Sequence, residues 1–129
     1  MWAKIILVLL ISMICDQARS QDHNGHPPQD QAIHKRFYST WMMPRDRQRS
    51  CCNEADCSPA ESRLDSGGHW EARKVEDKDA DFTKVPEEDV EHQRDSPDGR
   101  SHLCGWRARG LIVTEGSYHV LCFIPGAGT

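Results

Sequence analysis

Three cysteines within seven residues constrain the fold of this chain more than any other feature of its sequence. They are Cys51, Cys52 and Cys57, and two more follow downstream at Cys104 and Cys122. Cys51 and Cys52 should not bond to each other, because adjacent Cα atoms lie about 3.8 Å apart and a disulfide usually requires about 4.4–6.8 Å. In extended backbone, neighbouring side chains point to opposite faces. The pair is therefore expected to anchor the chain on two sides.

The first 20 residues have the pattern of a secretory signal peptide. Lys4 gives a positive start, residues 5–14 form an apolar run too short to span a bilayer, and residues 18–20 match a small-x-small cleavage site. We predict cleavage after Ser20, which also removes Cys15. The expected product is periplasmic or secreted, with no membrane insertion after signal cleavage.

Cleavage would leave 109 residues with 14 basic and 19 acidic side chains, a formal net charge of −5. Such a chain has no surplus of positive charge to attract phosphate backbones, so we predict no nucleic-acid partner. Few aromatic residues and a polar average limit the apolar core of so small a domain. Disulfides would therefore supply a large part of its stability, at about 2–4 kcal/mol each.

The chain is expected to hold a single small domain. Residues 1–20 are the predicted signal peptide, and residues 21–29 are a polar leader without residues that could be buried. The domain follows at residues 30–125. Residues 126–129 form a loose C-terminal tail.

A short amphipathic helix is predicted over residues 31–42, with Asp30 as its N-cap. Apolar side chains recur at every fourth position, which places them on one helical face that packs against the domain. These side chains are Ile33, Phe37 and Trp41. Pro44 ends the run, and the charged residues 45–49 are predicted to form an exposed connector into the cysteine cluster.

Alternating apolar positions between turn residues predict about five short strands. They span residues 69–75, 81–85, 101–106, 111–114 and 117–124. One face of the last strand is expected to carry Tyr118, Val120, Cys122 and Ile124. A helical turn is predicted after Pro86 and a tight turn at residues 96–99. The predicted fold is an α+β or mainly β domain, with a short N-terminal helix and a small meander or SH3-like barrel of about five strands, stapled by disulfides.

The cysteines and their neighbours resemble the pattern of a group of short secreted bacterial proteins. In that group a segment ending in Trp precedes Cys-Cys and Asp-Cys, Val-Pro follows a Trp-bearing strand, and a Ser-x-Asp-Gly turn leads to His-x-Cys and a final Cys-Phe strand. The matching positions here are residues 37–41, Cys51-Cys52, Asp56-Cys57, Trp70, Val85-Pro86, residues 96–99, His102-Leu103-Cys104 and Cys122-Phe123. The resemblance covers most of the mature chain and implies export and a shared fold. It brings no substrate and no catalytic residue.

A disulfide scaffold is the first interpretation of the five mature cysteines. Because five is odd, at most two bridges form within the chain and one thiol is left over, and five leftover choices with three pairings each give fifteen arrangements. We expect Cys104 and Cys122 each to bond one of Cys51, Cys52 and Cys57 in an oxidising compartment. The remaining thiol would be buried and inert, or would link two chains in a dimer.

Two alternative interpretations use the same cysteines. A soft metal ion would take its ligands from Cys51, Cys52, Cys57, His102 and Cys104, although their spacing is outside the common zinc patterns. An unpaired cysteine near His102 or Asp56 would be an activated nucleophile or redox thiol, although the chain has no C-x-x-C motif.

The sequence has no motif typical of a serine hydrolase or of a phosphate-binding loop. We therefore predict a small exported, disulfide-stabilised, non-enzymatic envelope or binding module without a cofactor. The competing class is a periplasmic metal-handling or thiol-reactive protein. Trp70, Trp106 and His102 are the candidate binding residues, because an aromatic side chain in a shallow groove is typical of recognition. The partner would be a protein or a second copy bonded through the odd cysteine.

Overall fold

The computed structural model of the chain describes residues 30–107 and 116–128. The predicted signal peptide, the leader and the strand predicted at residues 111–114 lie outside the described residues. In chain order the elements are α1 (Gln31–Arg36), a 3-10 helix (Tyr38–Thr40), β1 (Met42–Met43), β2 (Asp46–Ser50), α2 (Cys51–Glu54), β3 (Cys57–Leu64), β4 (Trp70–Lys74), β5 (Thr83–Lys84), a second 3-10 helix (Glu87–Asp89), β6 (Ser101–Arg107) and β7 (Tyr118–Ile124). Among the described helices, none has the length and apolar character needed to cross a membrane.

The predicted α+β fold with a disulfide-stapled sheet of five strands is confirmed. The sheet is antiparallel, in the order β5-β4-β3-β6-β7, and β1 and β2 form a separate two-stranded hairpin. The two edges of the large sheet approach each other, because the backbone N–H of Tyr118 at the start of β7 donates to the hydroxyl of Thr83 in β5 at 2.8 Å. The sheet is therefore curled into a half-barrel.

The first helix is shorter than the predicted span of residues 31–42. α1 ends at Arg36, and the chain continues as a 3-10 helix. The hydroxyl of Ser39 donates to the carbonyl of Lys35 at 2.7 Å, and that of Thr40 donates to the carbonyl of Phe37 at 3.1 Å. Such local bonds compete with the helical pattern. The tighter turn that follows buries Tyr38 together with the predicted apolar face.

Asp30 occupies the predicted N-cap position of α1, but its side chain does not cap the helix. Its side chain makes no bond to the backbone of the first helical turn. Instead, Arg100 donates to the carboxylate of Asp30 at 3.0 Å. A guanidinium is a stronger partner for a carboxylate than a neutral backbone N–H.

Residues 45–49 are largely exposed, as predicted, but they are not a simple connector, because most of them form β2 of the hairpin. Two arginines of this hairpin contact buried carboxylates, one at the end of the second 3-10 helix and one just after it. Arg45 forms a two-bond ion pair with Asp89, and Arg47 donates to Glu91 at 2.9 and 3.0 Å. Both carboxylates are almost fully buried. A buried carboxylate is costly unless it is paired, so these ion pairs fix the hairpin against the domain.

β3 lies at the centre of the sheet, although the sequence does not predict it. Pro59 and the polar residues 61–63 break the alternation expected of a strand. The carbonyl of Pro59 accepts from the N–H of Val75 at 3.0 Å, just beyond the end of β4. The nitrogen of Pro59, which has no hydrogen to donate, also faces β4, so the pairing of β3 with β6 loses no hydrogen bond.

A β-bulge in β7 overturns the predicted face of that strand. Cys104 of β6 pairs with Cys122, but the next residue, Gly105, pairs with Val120, so Leu121 is the extra residue. A bulge reverses the alternation of side chains along the strand. Tyr118 and Val120 therefore pack in one core cluster, whereas Leu121, Cys122 and Ile124 pack in the other.

Each face of the sheet carries one of these two core clusters. The first lies under α1, the 3-10 helix and the hairpin, and it includes Ile33, Phe37, Tyr38, Trp41, Met43, Leu121 and Ile124 together with the bonded cysteines. The second lies inside the curl, and it includes Ala60, Ala72, Ala80, Val85, Val90, Leu103, Tyr118, Val120 and Phe123. On the outer side of β7, Val90 forms a parallel bridge with Phe123, and the N–H of Glu91 donates to the carbonyl of Phe123 at 2.7 Å.

Both disulfides join the N-terminal cysteine cluster to the two strand cysteines, in one of the arrangements that the sequence left open. Cys51 bonds Cys122 across a sequence separation of 71, and Cys57 bonds Cys104 across a separation of 47. All four are fully buried. Cys52 retains a free thiol.

Replacing both cysteines of either bridge by alanine is expected to lower the free energy of unfolding by about 4 kcal/mol, because each bridge closes a long loop in the unfolded chain. The two double variants, Cys51→Ala with Cys122→Ala and Cys57→Ala with Cys104→Ala, should lose similar amounts. Urea denaturation measures the loss, with Cys52→Ala as the control. A loss below about 1 kcal/mol in either double variant would contradict a stabilising role for that bridge.

Gly105→Ala is expected to destabilise the protein by about 1–3 kcal/mol, because the bulge brings the opposite strand close to this glycine. A Cβ at position 105 would lie 2.4 Å from the backbone carbonyl oxygen of His119. Gly67→Ala is the matched control, since its Cβ would meet only side-chain atoms of His69 and Asp65, at 3.0–3.2 Å. Thermal unfolding of the two variants makes the comparison, and equal melting temperatures would argue against the bulge.

Candidate functional site

His102 is the centre of a buried hydrogen-bonded chain of side chains. The hydroxyl of Tyr38 lies 2.7 Å from its Nδ1, and a carboxylate oxygen of Asp98 lies 2.8 Å from its Nε2. An ionised carboxylate can only accept, so Nε2 carries the proton and donates to Asp98. In the neutral ring Nδ1 then accepts from the O–H of Tyr38. Both ring nitrogens of His102 therefore have side-chain partners.

This series of side-chain hydrogen bonds continues from Asp98 through Arg100 to Asp30. Arg100 donates to Asp98 at 2.6 Å and to Asp30 at 3.0 Å. The predicted turn at residues 96–99 holds Asp98 in place, because the N–H of Arg100 donates to Asp98 at 3.0 Å and Gly99 adopts a positive φ of 79°. Through these side-chain bonds, the tight turn before β6 is linked to Asp30 at the start of α1.

Burial and neighbouring charges shift the pKa values along this chain. Burial lowers the pKa of His102, although its bond to Asp98 acts in the opposite direction. Burial raises the pKa of Tyr38 far above its usual range, and the charge of Asp30 adds to this effect. Burial alone would raise the pKa of Asp98, but hydrogen bonds from His102 and Arg100 bring it to about 2. At neutral pH Tyr38 and His102 are therefore neutral, and Asp98 is ionised.

The order hydroxyl, imidazole, carboxylate is also the order of groups in a general-base triad. A catalytic hydroxyl must reach a substrate, whereas Tyr38 and His102 are both 0% exposed. The fold buries them beneath α1 and the face of the sheet. We therefore assign this chain to the stability of the core, where it satisfies polar groups that would otherwise be costly to bury. His102 does not belong to a binding surface.

Among the described cysteines, Cys52 has the free thiol, and it lies beside His34 and not beside His102. Its Sγ atom is 3.5 Å from Nε2 of His34 and is partly exposed. Burial raises the pKa of Cys52, the charge of Asp56 raises it further, and Lys74 opposes both effects. A raised pKa leaves little thiolate at neutral pH, which disfavours the activated nucleophile considered from the sequence. A dimer bonded through Cys52 stays a prediction.

The sulfur atoms of the two disulfides lie close together. Sγ of Cys51, Cys104 and Cys122 are within 4.8 Å of one another, and Cys57 is bonded to Cys104. This group differs from the metal-ligand set considered from the sequence, which included His102 and Cys52. His102 is already engaged at both ring nitrogens.

The two candidate binding tryptophans differ in their exposure. Trp70 is partly buried, with its ring centroid 5.6 Å from that of Phe123 in the second core cluster. Trp106 is 47% exposed. Its ring stacks on His119, directly opposite on β7, with centroids 4.5 Å apart and an angle of 27° between the planes. The sequence alone does not indicate His119 as a partner of Trp106, because the pairing of positions 106 and 119 depends on the bulge.

A groove of about 350 Å³ with a mixed polar and apolar lining lies between the segment before β6 and the end of β7. It is lined by Glu91, His92, residues 94–96 and residues 124–127. Several of its charged groups have partners within the protein, since Glu91 pairs with Arg47 and His92 with Glu87. Arg94 lies over the ring of Phe37, 4.3 Å from its centroid. The groove is therefore a weaker candidate for a binding site than the exposed stack of Trp106 and His119.

No family model, curated protein or solved structure matches this chain in the three comparisons made. The resemblance to short secreted bacterial proteins stays a prediction from the sequence.

The free energy of unfolding is expected to fall as the pH drops below about 6.5, by up to about 1.4 kcal/mol per pH unit. The unfolded chain takes up the proton of a histidine near that pH, whereas burial lowers the pKa of His102 in the folded protein. The loss continues until the pH reaches the folded pKa. The contribution of Asp98 is lost only below about pH 4, as the pH falls from its unfolded value of about 3.9 toward its folded pKa of about 2.

Urea denaturation between about pH 7.5 and pH 5 tests this expectation. His102→Gln should remove much of the slope, and His92→Gln, on the exposed surface, should retain it. An unchanged slope in His102→Gln would show that another group titrates.

Proposed function

We propose that this chain is a small exported binding module of the bacterial envelope, stabilised by two disulfides and without catalytic activity. The two buried disulfides support export, because such bonds persist in oxidising compartments. The exposed stack of Trp106 and His119 supports binding and is the observation that carries the proposal.

The aromatic stack is suited to recognition because it is both exposed and fixed in position. Trp106 lies within β6 and His119 within β7, so two paired strands hold the rings. A side chain held by a strand loses little conformational freedom on binding, which favours affinity. Large exposed aromatic side chains are also the residues that most often dominate binding energy at interfaces.

The chemistry of this surface favours a neutral sugar ring of an envelope glycan as the partner. One face of a sugar ring presents C–H groups that can pack on an indole, while its hydroxyl groups can bond a polar neighbour such as the imidazole of His119. The chain carries a formal net charge of −4, which works against a strongly anionic partner. A neutral glycan avoids that repulsion.

The position of the acid–base groups supports the proposed non-enzymatic role. Tyr38, His102 and Asp98 have the composition of a catalytic set, but the two ring-bearing members are enclosed in the core. Cys52 is the free thiol of the described chain, and its raised pKa makes it a poor nucleophile.

Trp106→Ala is expected to weaken binding of the mature protein to an insoluble, uncharged N-acetylglucosamine polymer by about tenfold or more, because it removes the aromatic contact. Co-sedimentation over a range of polymer concentrations measures the affinity. Leu64→Ala is the matched control, since Leu64 is 52% exposed at the far end of β3 and should bind as the wild type does. Equal affinities of the two variants, or no binding of the wild type, would overturn the proposed glycan site.

A further inference from the structure

Three adjacent strands place cysteines side by side at the centre of the sheet. Cys57 of β3 is directly opposite Cys104 of β6, which is in turn opposite Cys122 of β7. Cys51, the first residue of α2, lies above this row and is bonded to Cys122. Four sulfur atoms therefore converge from three strands and one helix.

These atoms are close enough to one another to share one metal ion after both disulfides are reduced. Tetrahedral Zn²⁺ with four thiolates has Zn–S distances of about 2.3 Å, which corresponds to sulfur atoms about 3.8 Å apart. Sγ of Cys51, Cys104 and Cys122 already lie within 4.8 Å of one another. The fourth sulfur, on Cys57, is bonded to that of Cys104. The sulfur atoms of both bonded pairs, Cys51 with Cys122 and Cys57 with Cys104, need to move apart once the bonds are reduced.

The surroundings also suit a closed structural site. All four cysteines are 0% exposed, and their neighbours in the first core cluster are mostly apolar or aromatic. Such walls exclude water from the ligand set, and four sulfur ligands in a closed tetrahedral site are typical of structural zinc.

We propose that reduction of both disulfides converts Cys51, Cys57, Cys104 and Cys122 into a buried four-thiolate site for a soft divalent cation such as Zn²⁺. This inference goes beyond the proposed glycan binding and does not depend on it. It also replaces the ligand set considered from the sequence, because Cys122 takes the place of Cys52 and His102.

The conversion requires an external dithiol reductant. Two dithiol molecules supply four electrons and four protons, each becoming a disulfide, and the two protein disulfides become four thiols. Binding of Zn²⁺ then forms four Zn–S bonds and releases the four thiol protons to solvent. Oxidised protein holds two S–S bonds and no metal, while reduced protein holds one Zn²⁺ in their place.

Anaerobic titration of the reduced mature protein with Co²⁺ tests the site, with Co²⁺ as a spectroscopic substitute for Zn²⁺. We expect one Co²⁺ per chain, with the thiolate-to-cobalt charge-transfer and visible bands of tetrahedral coordination, and displacement of Co²⁺ by Zn²⁺. The oxidised protein should give no such bands. Bands of equal intensity in the oxidised protein, or no uptake by the reduced protein, would overturn the proposal.

Two variants identify the ligands. Cys122→Ser should lower the affinity for Co²⁺ by more than about tenfold, since even outer-shell changes at metal sites cost about 10–100-fold. Cys52→Ser, which changes the thiol outside the group, should leave the affinity unchanged. Equal losses in the two variants would contradict the assigned ligands.

The melting curve of the reduced wild type provides a readout that does not depend on a folded variant. Zn²⁺ should raise its melting temperature, because metal binding is coupled to folding. An unchanged melting temperature would overturn the proposal. Glycan binding by the oxidised protein is measured separately, so failure of either proposal is distinguishable from failure of the other.

Discussion

Covalent bonds at the centre of the sheet are the constraint on which the rest of this structure depends. They tie α2 to β7 and β3 to β6, so segments far apart in the sequence are held together where the first core cluster begins. The pairing joins strands whose own apolar surface is limited, since β3 is buried along its first half and polar along its second. A small acidic domain thus replaces part of the usual apolar core with sulfur.

Ion pairs with buried carboxylates add to the stability that the disulfides provide. The hairpin of β1 and β2 is held to the domain by the buried Met43 and by the ion pairs that Arg45 and Arg47 form with buried carboxylates. Trp41 contributes to the same contact, because its indole N–H donates to Glu91 at 3.1 Å. On the other side of α1, Tyr38 and His102 serve a similar purpose. In both places the buried polar group has partners that satisfy its hydrogen-bonding capacity, so the core tolerates it.

The local sequence signals predicted the parts of the fold that local chemistry determines. The strand predicted at residues 69–75, the helical turn after Pro86 and the tight turn at residues 96–99 all match the structure. What could not be predicted depends on contacts distant in the sequence. β3 forms a strand because it pairs with a neighbouring strand on each side. The faces of β7 depend on one extra residue at Leu121, and His119 stacks on Trp106 only in the register that results. Arg45 and Arg47 carry no local sign of the carboxylates that they pair with.

The bridge between Val90 and Phe123 has a consequence for behaviour at high concentration. An unpaired outer strand is a template on which further chains can add and polymerise. Here the outer strand β7 receives a hydrogen bond from the segment that carries Glu91, and the opposite outer strand, β5, is only two residues long. Both borders of the sheet are therefore poor templates for fibre growth, which would keep the folded protein dispersed even where it accumulates.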